Sequence, residues 1–575
     1  MNRPMHSALP WRASLASARW GVATQSLVYR LSLSALTCAA FALRLVLLNT
    51  FPFREDEAIY GYWARVATVD PFFLDVWPDK PPIFIWLLTG AFALFGPSEA
   101  SARLVSIFAS VLTIPVVALG AQRLWSSQKA ALLAALLLTV NPFAVSFAPT
   151  AYTDSMLVFF GTGALVAALG GRGLIAGLLL AAACMTKQQG LFYVPLVIAL
   201  LFTASSGEGV NRSRHVWGKF AWALLGTAII TLPILWWDSQ RWAVAPSPWD
   251  WAQENYAPLR LLPPDQWLGR GLAWGELLWY LGGSWTVWPA LGLALTVATV
   301  MAARIVRERL PLALLLGWGL CFLLVHLVTT IQVWDRYLLP LAPWLVLVVS
   351  GPMTLVTHWR QPSWCRGLLF VLLVLSLCES VLPGLAAARG EFPIGGDHGD
   401  YAGLTQAIAW VQQCPSPEAD AIRLDNDARS SGLAGDVGDG EVLGRRDCPA
   451  ILYHQVLGWH FRFYLYDDLL PQGENPPRFD LRWFPSAAYL ADNAAKSPYP
   501  PKYLIVPEWA TPRDLALHLA MRGLALEPRL QVGRFAVMEI TQPPRPSCDW
   551  CKSSVPTAPF LAPFAEQPNP QMSMP

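Results

Sequence analysis

Long apolar runs recur through the first two-thirds of this chain, and about 20 consecutive apolar residues is what an α-helix needs to cross a hydrocarbon core. Spans are predicted near residues 27–49, 101–121, 130–148, 154–170, 173–186, 191–205, 219–237, 284–303, 310–330, 337–356 and 367–388. The fifth and sixth are short and meet at Thr186-Lys187-Gln188-Gln189-Gly190, which reads as a tight, partly polar hairpin. Only 14% of the residues are charged, against about 25% in soluble domains. The 28 tryptophans suit a membrane interface, where the ring is buried and the N–H stays wet. A net charge of +2 gives no electrostatic case for nucleic acid.

Lys and Arg in short loops set orientation. The N-terminal segment holds Arg3, Arg12, Arg19 and Arg30. Arg123 and Lys129, Arg172, Arg212, Arg214 and Lys219, Arg304, Arg307 and Arg309, and Arg360 and Arg366 occupy later loops. With eleven spans all of these fall on one face, which is then cytoplasmic. The first span has no clear cleavage site and reads as an anchor.

After about residue 390 the apolar runs shorten to strand length, as in Ile451–His454, Phe461–Tyr466, Tyr503–Pro507 and Phe535–Ile540. Tyr401–Gln413 and Thr511–Arg522 read as helices. The expected organisation is a cytoplasmic segment (1–26), a transmembrane domain (27–388), a small extracytoplasmic α/β domain (389–541) and a disordered tail (542–575). The stretch from Thr541 has nine Pro in 35 residues, too many for a packed core. Cys414 and Cys448 could pair on an oxidising face. Cys548 and Cys551 form a C-x-x-C that could pair or bind metal, though no second Cys/His pair lies nearby to complete a metal site.

The chemistry concentrates on the face opposite the basic loops. Glu55-Asp56-Glu57 follows the first span directly, and three consecutive carboxylates repel one another unless something needs negative charge there. Ile59, Tyr62, Trp63 and Val66 then make a helical apolar stripe, so Asp56 and Glu57 open an interfacial helix, the end where the dipole tolerates carboxylates. Plain N-capping by Asp56 is the alternative. In Asp79-Lys80-Pro81-Pro82 the prolines can start a second short helix. Lys80 then stands at the end where a cation is unfavourable, which points to an external anion; a snorkelling lysine is the alternative. Asp154 at the start of the fourth span, Lys187 after the fifth and Arg336-Tyr337 at the start of the tenth share that surface. Asp154 could equally be a helix cap.

Taken in order, these residues resemble the GT-C membrane glycosyltransferases, specifically the family of protein O-mannosyltransferases and aminoarabinose lipid A transferases (glycosyltransferase family 39-like). The resemblance rests on Asp56-Glu57 with Tyr60, Lys80-Pro81-Pro82 with Trp86, Arg103-Leu104, Asp154, Thr186-Lys187, Glu254-Asn255-Tyr256 and Arg336-Tyr337-Leu338-Leu339-Pro340, over about residues 30–350. It implies a polytopic helical fold of about 11 transmembrane helices, with interfacial helices in the first external loop. It implies transfer of a sugar from a polyprenyl-phosphate donor to an extracytoplasmic acceptor, with inversion, in the inner (plasma) membrane. Lys80, Lys187 and Arg336 would stabilise the leaving phosphate, and Asp56, with Glu57, would take the acceptor's proton. Tyr60, Asp154, Asn255, Tyr256 and Tyr337 would line the substrate. Asp56 and Glu57 beside a phosphate also suit a divalent cation, which nothing requires. Asp79 stands where aminoarabinose-type relatives have Glu, and no His-x-x-Arg-Phe pattern follows Glu254, which leaves the donor sugar open. The C-terminal domain either shapes acceptor choice or covers the site. The competing reading is a lipid-linked sugar flippase or secondary transporter. Such a protein would place its polar residues at midplane in repeated, broken helices, and no repeat is visible.

Overall fold

The computed structural model describes residues 11–203, 211–256, 260–284, 287–304, 310–355, 374, 378–395, 399–413, 449–471, 473, 475–497 and 500–542, with backbone alone at residues 11–25, 211–215, 255, 256, 301–304 and 355. Cys414, Cys448, Cys548 and Cys551 lie outside the described residues. The chain divides into two compact bodies: Met1–Thr50 with Trp63–Gly396, and Phe51–Tyr62 with Asp397–Pro575.

The first body is helical. Its elements are α1 (Trp11–Leu45), α3 (Ile83–Phe95), α4 (Glu99–Trp125), α5 (Gln128–Val140), α6 (Pro142–Ser146), α7 (Thr153–Leu169), α8 (Gly173–Cys184), α9 (Val194–Thr203), α10 (Asn211–Ser239), α11 (Pro248–Tyr256), α12 (Trp267–Gly282), α13 (Val287–Arg304), α14 (Leu310–Val328), α15 (Leu341–Leu355) and α16 (Cys378–Ala388). The helix α2 (Glu55–Val66) runs from one body's residues into the other's. Among the described residues five helices are long and apolar enough to cross a membrane: Ser26–Leu45, Glu99–Trp125, Val216–Ser239, Leu310–Val328 and Asp335–Thr354. Other apolar helices have 10–17 residues, short of the ~20 a perpendicular crossing takes. The run at 130–148 illustrates why. Asn141-Pro142 breaks it into α5 and α6, because proline has no N–H and disfavours helical backbone before it. Asn141 is extended (ψ 122) and its side chain caps α6 at the Ala144 amide.

One buried arginine ties three of these helices together. Arg44 of α1 donates to Ser110 Oγ of α4 (2.8 Å) and to the carbonyls of Leu138 and Thr139 (3.2 Å each). Those carbonyls lie in the last turn of α5, where no intrahelical donor remains and the dipole favours a cation.

The second body is built on a five-stranded sheet of β1 (Ala450–His454), β2 (Phe479–Trp483), β3 (Lys502–Pro507), β4 (Ala525–Val532) and β5 (Phe535–Thr541), in the order β2-β1-β3-β5-β4. The first three are parallel; β5 runs antiparallel to β3 and to β4. Helices cover both faces. Leu404, Ile408 and Val411 of α17 (Leu404–Gln412) and Phe461 of α18 (Gly458–Tyr464) pack on one. Leu490 and Ala494 of α19 (Ala487–Lys496) and Leu515 and Leu519 of α20 (Leu515–Ala520) pack on the other. Central strands covered on both sides carry continuous apolar runs, and every residue of β1 and β3 is buried. The expected strand at Phe461–Tyr466 is instead the end of α18 and a 3-10 turn at Tyr466–Asp468. Leu457, Phe461 and Leu465 enter the core at a spacing of four, the period of a helix. The sequence reading also passed over β2 and β4.

Candidate active site

In the first body, cations from three distant segments gather near buried carboxylates. Lys80 lies near the end of an irregular stretch that closes at Pro82, the N-cap of α3, as the proline pair implies. Its Nζ lies 2.6 Å from Asp79 Oδ2, and both side chains are 9% exposed. The stretch is fastened to the α8–α9 hairpin. The Ile83 amide donates to Met185 O (3.2 Å), and Gln188 Nε2 donates to Asp79 O (2.8 Å).

Lys187 stands between α8 and the 3-10 turn Gln188–Tyr193, in extended backbone. Its Nζ is 2.6 Å from Oδ1 of Asp154 in the first turn of α7, and 4.5 Å from the centre of the Tyr337 ring. Both members of this ion pair are nearly inaccessible, at 6% and 3%. Asp154 is therefore more than a helix cap: Tyr152 holds the cap position, and the Asp154 carboxylate faces the lysine. Burial pushes the Lys187 ammonium down to about 8, Asp154 opposes that, and Arg336 and Lys80 add to it by repulsion. Lys80 and Arg336 thus both stand within electrostatic reach of Lys187.

Arg336 belongs to the 3-10 turn Asp335–Leu338. Its guanidinium is 4.9 Å from the Tyr152 ring, 5.6 Å from Trp334 and 5.9 Å from Tyr337. The Asp335 carboxylate accepts from the Arg336 amide (2.7 Å) and the Gly395 amide (2.8 Å). Like charges converging in low dielectric cost free energy unless an anion shares them.

The second body holds the acidic helix start. Glu57 is fully buried, and its Oε2 accepts from the Arg54 amide at 3.0 Å. This is the return half of a capping box, an acid at the third helical position satisfying the N-cap N–H. Asp56 is half-exposed and Tyr60 buried. Asn255 and Tyr256 close α11, but their side chains lie outside the described residues. Among the described residues no group of three or more His, Cys, Asp or Glu side chains is placed to hold a metal ion, and Glu57 is already engaged by backbone. No step is assigned to a divalent cation.

The sequence reading passed over Asp79 as the partner of Lys80, Gln188 as the strap and Tyr152 as the surface under Arg336. Asp79 is adjacent to its lysine, and Tyr152 is two residues from Asp154. Nothing local signals Gln188.

Residues 79–237 match the sequence model of the dolichyl-phosphate-mannose-protein mannosyltransferase family, a stretch holding Asp79, Lys80, Asp154 and Lys187. The fold is similar to that of ArnT from Cupriavidus metallidurans bound to undecaprenyl phosphate (TM-score 0.55, 16% identity, 88% of this chain and 97% of that one). It is similar to the apo form of the same protein (TM-score 0.56, 16% identity, 90% and 98%). It is also similar to the archaeal oligosaccharyltransferase AglB from Archaeoglobus fulgidus in complex with an inhibitory peptide and a dolichol-phosphate (TM-score 0.51, 12% identity, 89% and 74%). A sequence search of curated proteins finds no match. The resemblance drawn from the sequence is borne out.

Proposed function

We propose that the protein is a membrane glycosyltransferase that moves a sugar from a polyprenyl-phosphate donor to an extracytoplasmic acceptor, inverting the anomeric centre. The observation that carries this is the approach of Lys80 and Arg336 to within electrostatic reach of the buried Lys187, with Lys80 and Lys187 inside the family-matched stretch. The family's name and the similar structures' bound undecaprenyl phosphate and dolichol-phosphate support a lipid phosphate as the shared anion.

As the glycosidic bond breaks, negative charge grows on the leaving phosphate, and the three cations stabilise it more in the transition state than in the ground state. Asp154 holds Lys187 in place, and Tyr337 backs its ammonium. Asp56 takes the proton of the acceptor hydroxyl, which attacks the anomeric carbon from the face opposite the phosphate. Glu57 caps the helix that carries Asp56. Tyr60, Asn255 and Tyr256 contribute to substrate binding. The proposed topology has eleven crossings over residues 27–388, the N-terminus cytoplasmic, and residues 389–541 and the tail outside. The helices shorter than a full span cross where the bilayer is locally thinned and flanking side chains snorkel.

The test is Asp56→Asn and Lys80→Ala in the reconstituted full chain, with lipids and surface glycoconjugates of producing cells analysed by mass spectrometry to identify the sugar. Asp56→Asn is expected to lose transfer but keep polyprenyl-phosphate binding, and Lys80→Ala to lose binding. Turnover like that of the unmutated protein in Asp56→Asn removes Asp56 as base; unchanged phosphate affinity in Lys80→Ala removes the cation site.

A further inference from the structure

The residues just before Asp56 are gripped by side chains more than 400 positions away in the chain. Phe53 precedes the N-cap of α2, and both of its backbone polar groups are held by α18. Its N–H donates to Tyr464 Oη at 2.9 Å. Its C=O lies 3.0 Å from Nε2 of His460, which is fully buried. A carbonyl only accepts, so Nε2 carries the proton and the ring's tautomer is fixed.

The Phe53 ring, also fully buried, packs at 4.7 Å against Phe463 and 6.3 Å against Tyr464. Gly61, further along α2, admits the same residues: a Cβ there would stand 2.9 Å from both the Phe463 and Phe53 rings. The next residue, Tyr62, receives a long hydrogen bond from Arg462 (3.5 Å). Tyr401 stacks on His460 at 4.5 Å and fixes the ring's plane. The helix bearing Asp56 is thus held just before its start and at its middle by one short helix of the C-terminal domain.

We propose that α18 is the positioning element for the catalytic carboxylate, with His460 and Tyr464 as positioning residues that set the direction in which α2 begins. This rests on the reading of Asp56 as the base. It gives the C-terminal domain a role in the chemical step rather than in acceptor choice or cover. A proton acceptor must be held near its partner within a fraction of an ångström, and a misplacement of about 1 Å costs on the order of 100-fold.

The test uses the full-length protein with its polyprenyl-phosphate-sugar donor. Tyr464→Phe removes one hydroxyl and keeps the ring. His460→Leu removes the donor to Phe53, whereas His460→Gln returns an N–H donor near the place of Nε2. Expected are falls in kcat of about ten-fold or more for Tyr464→Phe and His460→Leu, with donor KM unchanged. His460→Gln is expected to recover most of the rate. Faster hydrogen exchange at the Phe53 amide in Tyr464→Phe is the matching structural signature. Normal kcat in both loss variants while Asp56→Asn is inactive overturns the clamp and leaves the base in place. An active Asp56→Asn instead overturns the reading on which the clamp rests. Falls in rate that His460→Gln does not relieve, in protein with an unfolding midpoint like that of the unmutated chain, also count against positioning through this bond.

Discussion

Lys187 is an ammonium kept out of water and held by one carboxylate at 2.6 Å, with burial bringing its titration down to about 8. Below that pH it is charged and, on the proposed reading, attracts the donor phosphate; above it the charge fades. Phosphate in place would raise the titration again, because an opposite charge favours the protonated form. The loss therefore belongs to the free enzyme and shows in kcat/KM for the donor rather than in kcat. We expect kcat/KM to fall above about pH 8, approaching ten-fold per unit, and Lys187→Arg, whose guanidinium stays charged, to lose that alkaline limb. A flat profile to pH 10 in the unmutated protein refutes this. Lys80, Lys187 and Arg336 were legible in the sequence because each sits beside proline or at the end of an apolar run. Their partners were less so: Asp154 and Lys187 are 33 positions apart, and no periodicity links them.

At the scale of elements, Arg44 carries the clearest energetic statement. It supplies donors to two carbonyls that the end of α5 cannot satisfy itself. Arg44→Met keeps the apolar stem and orphans them in an apolar setting. A cost of about 3 kcal/mol is expected, read as a lower midpoint in detergent unfolding; a shift within error of zero would mean that other groups take over those carbonyls. The helices themselves were readable as apolar runs, but their breaks were set by single residues such as Pro142. In the C-terminal sheet β1, β3 and β5 announced themselves by continuous apolar runs. The strand β2 did not, since Asp480 and Arg482 alternate with Phe479 and Leu481 over only five residues. Phe461–Tyr466 was misassigned because a short apolar run has the length of a strand, while the spacing from Leu457 to Leu465 is helical.

For the molecule as a whole, two histidines make the sheet-bearing body sensitive to acid. Burial brings His454 down to about 4, helped by repulsion from Arg462. Burial likewise brings His460 to about 4, against the pull of its bond to Phe53 and of Glu57. Both folded values lie below the ordinary 6.5, so the unfolded chain binds more protons between those limits and stability falls as pH drops from 6.5 through 4. Above 6.5 the contribution is complete. Each histidine accounts for about 3 kcal/mol at the acid extreme. Limited proteolysis of the full chain along a pH series should show cleavage within residues 449–542 rising below pH 6 before cleavage in the helical body. His454→Gln should move that onset lower. Simultaneous onset in both bodies argues against it.

The bond from the Gly395 amide to Asp335 has a practical corollary for dissecting this enzyme. Shortening the chain at or before residue 394 deletes the group that steadies the carboxylate next to Arg336, so any drop in lipid-phosphate affinity would be misattributed to the missing sheet. A cut placed after Gly396 keeps that tether and isolates what residues 397–575 contribute.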